Sequence, residues 1–131
     1  MAPELQAGGP PSRVQDLRVL VVEDEYLVAE RIKEIVESTG AEVLGPVPTL
    51  AGALDYVAGE AIDVALVDMY LRDNFADELI EQLVARDIPY VIVSGIMHMP
   101  NNHELLAAGR IDKPVVASEI VDLLHKIAAA R

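Results

Sequence analysis

The sequence predicts a doubly wound α/β domain with a parallel sheet, and three observations carry that expectation. Short apolar runs alternate with stretches of helical spacing, as in successive βαβ units. The first run, residues 18–22, is continuously apolar after Arg18 rather than alternating, as a strand covered on both faces must be. The first, third and fourth runs each stop on a polar residue, Glu23, Asp68 and Ser94 in turn.

The elements follow in order. After the first strand, Val28, Ile32, Ile35 and Val36 share one helical face, and Gly40 supplies a C-terminal stop. "AEVLGPV" reads as the second strand, ended by Pro46 and Pro48. Thr49 caps a second helix running to about Ala58 and closed by Gly59. Residues 62–67 form the third strand, and Ala76, Leu79, Ile80, Leu83 and Val84 form the apolar face of the third helix. Residues 90–93 make the fourth strand. In "GIMHMPNNHELLAAG", Pro100 and the two asparagines leave room for only a short or irregular fourth helix. A fifth strand at 110–112 and a last helix, with Ile120, Leu123, Leu124 and Ile127 inward, complete five β/α units.

Composition narrows the function classes. A chain of 131 residues, 52% hydrophobic, suits one domain with a sizeable core. A net charge of −12 argues against nucleic-acid backbones and anionic membranes as direct ligands. The absence of cysteine removes disulfides, thiol nucleophiles and thiolate metal sites. No apolar run approaches the ~20 residues that span a bilayer. Residues 1–15, rich in Pro and Gly and without a signal-peptide pattern, are expected to form a flexible tail ahead of a domain at 16–131, in a cytoplasmic protein.

The polar residues that end the strands define a candidate site. Strand one ends in Glu23-Asp24, strand three in Asp68, strand four in Ser94, and strand five runs into Lys113-Pro114. In open α/β sheets, ligands bind outside the carboxyl ends of the strands, so these residues are expected to share one crevice. Clustered carboxylates without Cys or His favour a hard cation, and Mg²⁺ fits best because it takes one or two carboxylates, keeps waters and accepts phosphate oxygens. A carboxylate beside such an ion, with a lysine and a hydroxyl in reach, suits capture of a phosphoryl group as an acyl phosphate. Each piece has a plainer reading too. Glu23-Asp24-Glu25 fits a solvated helix N-terminus, Asp68 a turn, and Lys113-Pro114 a loop; Glu25 is expected to face solvent. His98, His103 and His125 show no metal-ligand spacing and read as surface residues.

"VLVVEDE", "DVALVDMYL", "YVIVSG" and "IDKPV", in this order and spacing, resemble the receiver domain of two-component response regulators over about residues 17–130. The resemblance implies a flavodoxin-like five-stranded sheet of order 2-1-3-4-5. It implies Asp68 as phosphoacceptor, Asp24 as a direct Mg²⁺ ligand with Glu23 helping, and the Tyr70 backbone carbonyl as a further ligand. Lys113 would contact the phosphoryl group and the metal-site carboxylates, Ser94 would be the switch hydroxyl, and the Lys113-Pro114 bond would be cis. The implied function is that of a single-domain phosphoacceptor, not an enzyme. It would be phosphorylated by a histidine kinase or a histidine phosphotransfer protein. It would signal by relay, or by contact with a downstream protein through the face of fourth helix, fifth strand and last helix.

The chain also departs from that pattern. Arg110 stands where the aromatic switch residue is usual, and the interval from Ser94 to Lys113 is short. "YLRDNFADE" lacks the usual proline and glycine. "IPYVIVSG" with the short segment resembles a subgroup of stand-alone receivers that pair with HWE-type histidine kinases. Tyr70 and Ile96 are bulky neighbours of the attacking-water path, so slow acyl phosphate hydrolysis is expected. Two other functions remain open: a phosphorylation-independent binding module on the same fold, and a small aspartyl-nucleophile phosphohydrolase. The second would want Asp-x-Asp, and Tyr70 occupies the third position.

Overall fold

The structure is a computed structural model that describes residues 13–95 and 106–131. The strands and α-helices described are β1 (Arg18–Val22), α1 (Tyr26–Ser38), β2 (Glu42–Val47), α2 (Leu50–Gly59), β3 (Val64–Val67), α3 (Asp77–Ala85), β4 (Tyr90–Ser94), β5 (Gly109–Asp112) and α4 (Ala117–Ala129). The five strands form one parallel sheet in the order β2-β1-β3-β4-β5, as expected. The expected short fourth helix falls mainly on residues 96–105, outside the described ones.

Both faces of the sheet are covered, which explains the unbroken apolar strands. Val19 and Val21 of β1, Leu66, Val91 and Ile111 pack against Ile32 and Val36 of α1 and Ile120 and Leu124 of α4. The alternate residues Leu20, Val22, Ala65, Val67 and Ile92 pack against Ala53 and Val57 of α2 and Leu79 and Leu83 of α3. Successive side chains of one strand therefore feed two different cores.

Several expected boundaries shift for local reasons. A 3-10 turn at Val14–Asp16 buries Val14 in the core. β2 passes through Pro46 instead of stopping there. It is an edge strand, where a missing N–H is tolerated, and Gly45-Pro46 forms a bulge between the pairs Leu20–Leu44 and Val22–Val47. β3 begins at Val64, two residues later than expected. Gly40 does follow α1 with φ +91°, whereas Gly59 is the last residue within α2. Val84 is exposed rather than part of the inward face of α3. The capping of α2 is as expected, with Thr49 Oγ1 accepting from Gly52 N at 3.1 Å. No helix among the described residues is long and apolar enough to cross a membrane.

Candidate functional site

Parallel strands deliver their carboxyl ends to one edge of the sheet, and the predicted residues meet there. Asp24, Asp68, Tyr70, Ser94 and Lys113 line an open depression of about 390 Å³, with Glu25 and Gly95 completing its wall. Glu23 lies beneath it, 2% exposed, while Asp68 and Ser94 are 5% and 1% exposed. Backbone bonds fix the loop ends: Asp68 N donates to Val22 O at 2.9 Å, Glu23 N to Val47 O at 3.0 Å, and Lys113 N to Ser94 O at 3.1 Å. The bulge in β2 is what presents the Val47 carbonyl to Glu23. The Lys113-Pro114 bond is cis, as the resemblance implied.

Lys113 is the hub. Its Nζ donates to Glu25 Oε1 at 2.7 Å, Asp68 Oδ2 at 2.9 Å and Glu23 Oε2 at 3.0 Å. Asp68 Oδ1 accepts from Tyr70 N at 3.0 Å, and Glu23 Oε2 also accepts from Glu25 N at 3.2 Å. Oxygens of Glu23, Asp24, Glu25 and Asp68 all lie within 4.8 Å of one another. Four carboxylates thus face one ammonium, and the charge is under-compensated. Burial, and then the charge on Asp68, push the Glu23 carboxyl up to about 7 from its ordinary 4.5, against the opposing pull of Lys113 and the Glu25 N–H. Burial alone would lower the Lys113 pKa, but its bonds to Glu25, Asp68 and Glu23 outweigh that and raise it.

The donor set fits a hard cation. Glu23 Oε1 is buried without a hydrogen-bond partner among the described residues. A buried carboxylate oxygen left bare is costly, and an all-oxygen cluster with excess negative charge is the environment that Mg²⁺- or Ca²⁺-like ions relieve.

All six residues singled out from the sequence come together: Glu23, Asp24, Asp68, Tyr70, Ser94 and Lys113. One expectation is corrected. Glu25 does not simply face solvent; although 60% exposed, its carboxylate forms the shortest of the lysine's three bonds. Two further residues were missed. Between β3 and α3 the chain folds as a miniature hairpin, with Leu71 N donating to Asn74 O, Ala76 N to Met69 O, and a Tyr70–Phe75 bridge. At its tip Arg72 Nη2 donates to the Asp24 carbonyl at 3.3 Å, and Asp73 Oδ1 accepts from Leu50 N at 3.1 Å. The tip therefore ties the β1 and β2 loops together in the segment that lacks the usual proline and glycine. The signal lay in the charges of "YLRDN", which had no partner within their own segment. The Tyr70 ring packs edge-on against Phe75, centroids 5.0 Å apart. Arg110 Nε donates to Asp112 Oδ1 at 2.7 Å. Ile96, the other expected neighbour of the water path, lies outside the described residues.

Residues 19–125 match the family model of the response regulator receiver domain. No curated protein sequence matches the chain. Among solved structures, a CheY-like receiver domain protein from Methanospirillum hungatei JF-1 is similar at a TM-score of 0.79 and 25% identity, covering 87% of this chain and 94% of that one. The non-phosphorylated HemR receiver domain from Leptospira biflexa gives 0.76 and 26%, over 87% and 95% of the two chains. SdrG from Sphingomonas melonis Fr1 gives 0.72 and 29%, over 86% and 97%. With strand order, site geometry and family match in agreement, this chain belongs to the response regulator receiver domain family.

Proposed function

We propose that the protein accepts a phosphoryl group on Asp68 from a histidine kinase or a histidine phosphotransfer protein, in a Mg²⁺-dependent reaction. The observation that supports this most is the Lys113 hub, which holds a buried, strand-terminal aspartate beside an oxygen cluster with one bare oxygen. In the transfer, a carboxylate oxygen of Asp68 forms the new bond to phosphorus. The donor's P–N bond breaks, and the imidazole nitrogen keeps the electron pair and takes a proton from solvent. Asp24 and Glu23, with Asp68 and the Tyr70 carbonyl, would hold the ion. The ion, when bound, supplies positive charge to the transferring oxygens. Lys113 contributes a second positive charge through its bond to Asp68 Oδ2, and the Tyr70 N–H orients the Asp68 carboxylate. Ser94 would donate its hydroxyl to a phosphoryl oxygen.

The protein is then a cytoplasmic phosphoacceptor rather than an enzyme. Its output is a changed protein contact, through a face that includes β5 and α4, or onward relay. The kinase class that fits its short segment after Ser94 is the HWE type.

Incubation with acetyl phosphate and Mg²⁺ tests this by intact mass. The expected result is an adduct of about 80 Da, one phosphoryl group, absent with chelator and absent in Asp68→Asn. Steady release of inorganic phosphate from phosphomonoesters would instead indicate a phosphohydrolase. No adduct at all would indicate a binding module.

A further inference from the structure

An ammonium group carries three N–H donors, and Lys113 has spent all three, on Glu25, Asp68 and Glu23. A phosphoryl group arriving on Asp68 brings three further acceptor oxygens to the same ammonium, and they compete with the carboxylates for its donors. Glu23 is the wrong candidate to yield. Its side chain is 0% exposed, so water cannot replace the lysine's hydrogen bond, and only the Glu25 N–H would remain on that oxygen. Asp68 is the group being modified and keeps the lysine beside the new phosphoryl oxygens. Glu25 remains. Its side chain is 60% exposed, water can replace the lost hydrogen bond, and it stands at the first turn of α1, directly before the exposed Tyr26 and Leu27.

We propose that Glu25 is a displaceable counter-ion: it holds Lys113 while Asp68 is unmodified and swings into water when the phosphoryl group arrives. Glu25 is then a positioning residue that acts through Lys113. It slows transfer by occupying a donor for which the phosphoryl oxygens compete and by adding negative charge to the receiving depression. This rests on Asp68 being the acceptor, and it adds a consequence that the acceptor role alone does not carry. The N-terminus of α1 changes its charge arrangement on phosphorylation.

Two measurements test it. First, adduct formation with acetyl phosphate is followed at saturating Mg²⁺ in wild type and Glu25→Gln, with equal thermal midpoints confirming that the variant folds. The variant should react about two- to fivefold faster, the scale of one half-exposed ion pair; an unchanged or slower rate overturns the proposal. Second, the ¹³C side-chain carboxyl resonance of Glu25, assigned by its loss in the variant, is followed as beryllofluoride and Mg²⁺ are added to occupy the phosphoryl position. It should move to the value of a free glutamate, and a resonance that stays in place overturns the proposal. A wild-type protein that forms no adduct sinks the acceptor reading itself, whereas an adduct with no effect of Glu25→Gln leaves the acceptor standing and removes only the counter-ion.

Discussion

Glu23 is buried, carries one bare oxygen and has its pKa raised to about 7. A carboxyl that binds its proton more tightly in the folded chain than its ordinary 4.5 favours folding at low pH. That contribution is complete below about 4.5 and lost as pH rises through about 7. In the metal-free protein, Glu23→Gln should therefore match wild type in stability at about pH 4.5 and below and exceed it progressively towards pH 8. A difference between the two melting curves that stays flat across this range would contradict the burial account. The raised pKa of Lys113 leaves that residue charged throughout the window, so it adds no slope there. Asp68 and Ser94 were legible in the sequence because each ends an apolar strand, and Lys113 because it follows the short fifth strand, whose end converges with theirs in a parallel sheet. Glu25 was not legible, since its partner is 88 residues away and only the chain path brings them together. Arg72 and Asp73 were hidden for the same reason.

At the scale of elements, the bulge in β2 carries more than a strand boundary. Gly45 sits at φ +91°, and a Cβ there would meet Val47 N at 2.8 Å and Val21 O at 2.9 Å, both backbone atoms that cannot step aside. Gly45→Ala should cost about 2 kcal/mol or more from the unfavourable φ and the overlap, and it should weaken Mg²⁺ binding because Val47 O anchors Glu23. Gly59→Ala is the contrast: no atom lies within 4 Å of its Cβ position and it ends a helix, so stability should rise by about 0.5–1 kcal/mol. Chemical denaturation of both variants checks the pair, and a neutral Gly45→Ala would overturn the role given to the bulge. The sequence placed β2 correctly but read Pro46, together with Pro48, as its stop. Proline's missing N–H is a reliable stop in a central strand and not at a sheet edge, and edge position is a property of topology rather than of local sequence.

The whole molecule is a sheet whose two faces feed separate cores, with its acidic site at one edge and a net charge of −12 over the chain. The alternating helices and unbroken apolar strands made that architecture readable from periodicity alone. The charge and the crowded carboxylates should make the fold responsive to divalent cations. Mg²⁺ at about ten times its Kd should stabilise the protein by roughly 1.4 kcal/mol, raising the thermal midpoint above that in KCl of matched ionic strength. Asp24→Asn should abolish the excess. An equal response to both salts would reduce the cluster to a solvated acidic edge. The central claim is that Asp68 is the residue that takes the phosphoryl group, and its most direct test is chemical mapping. The protein is phosphorylated with phosphoramidate and Mg²⁺, the acyl phosphate is reduced with borohydride, and the peptides are sequenced by mass spectrometry. Homoserine at position 68 alone is the predicted result; an unmodified residue 68, or homoserine at another aspartate, would contradict it.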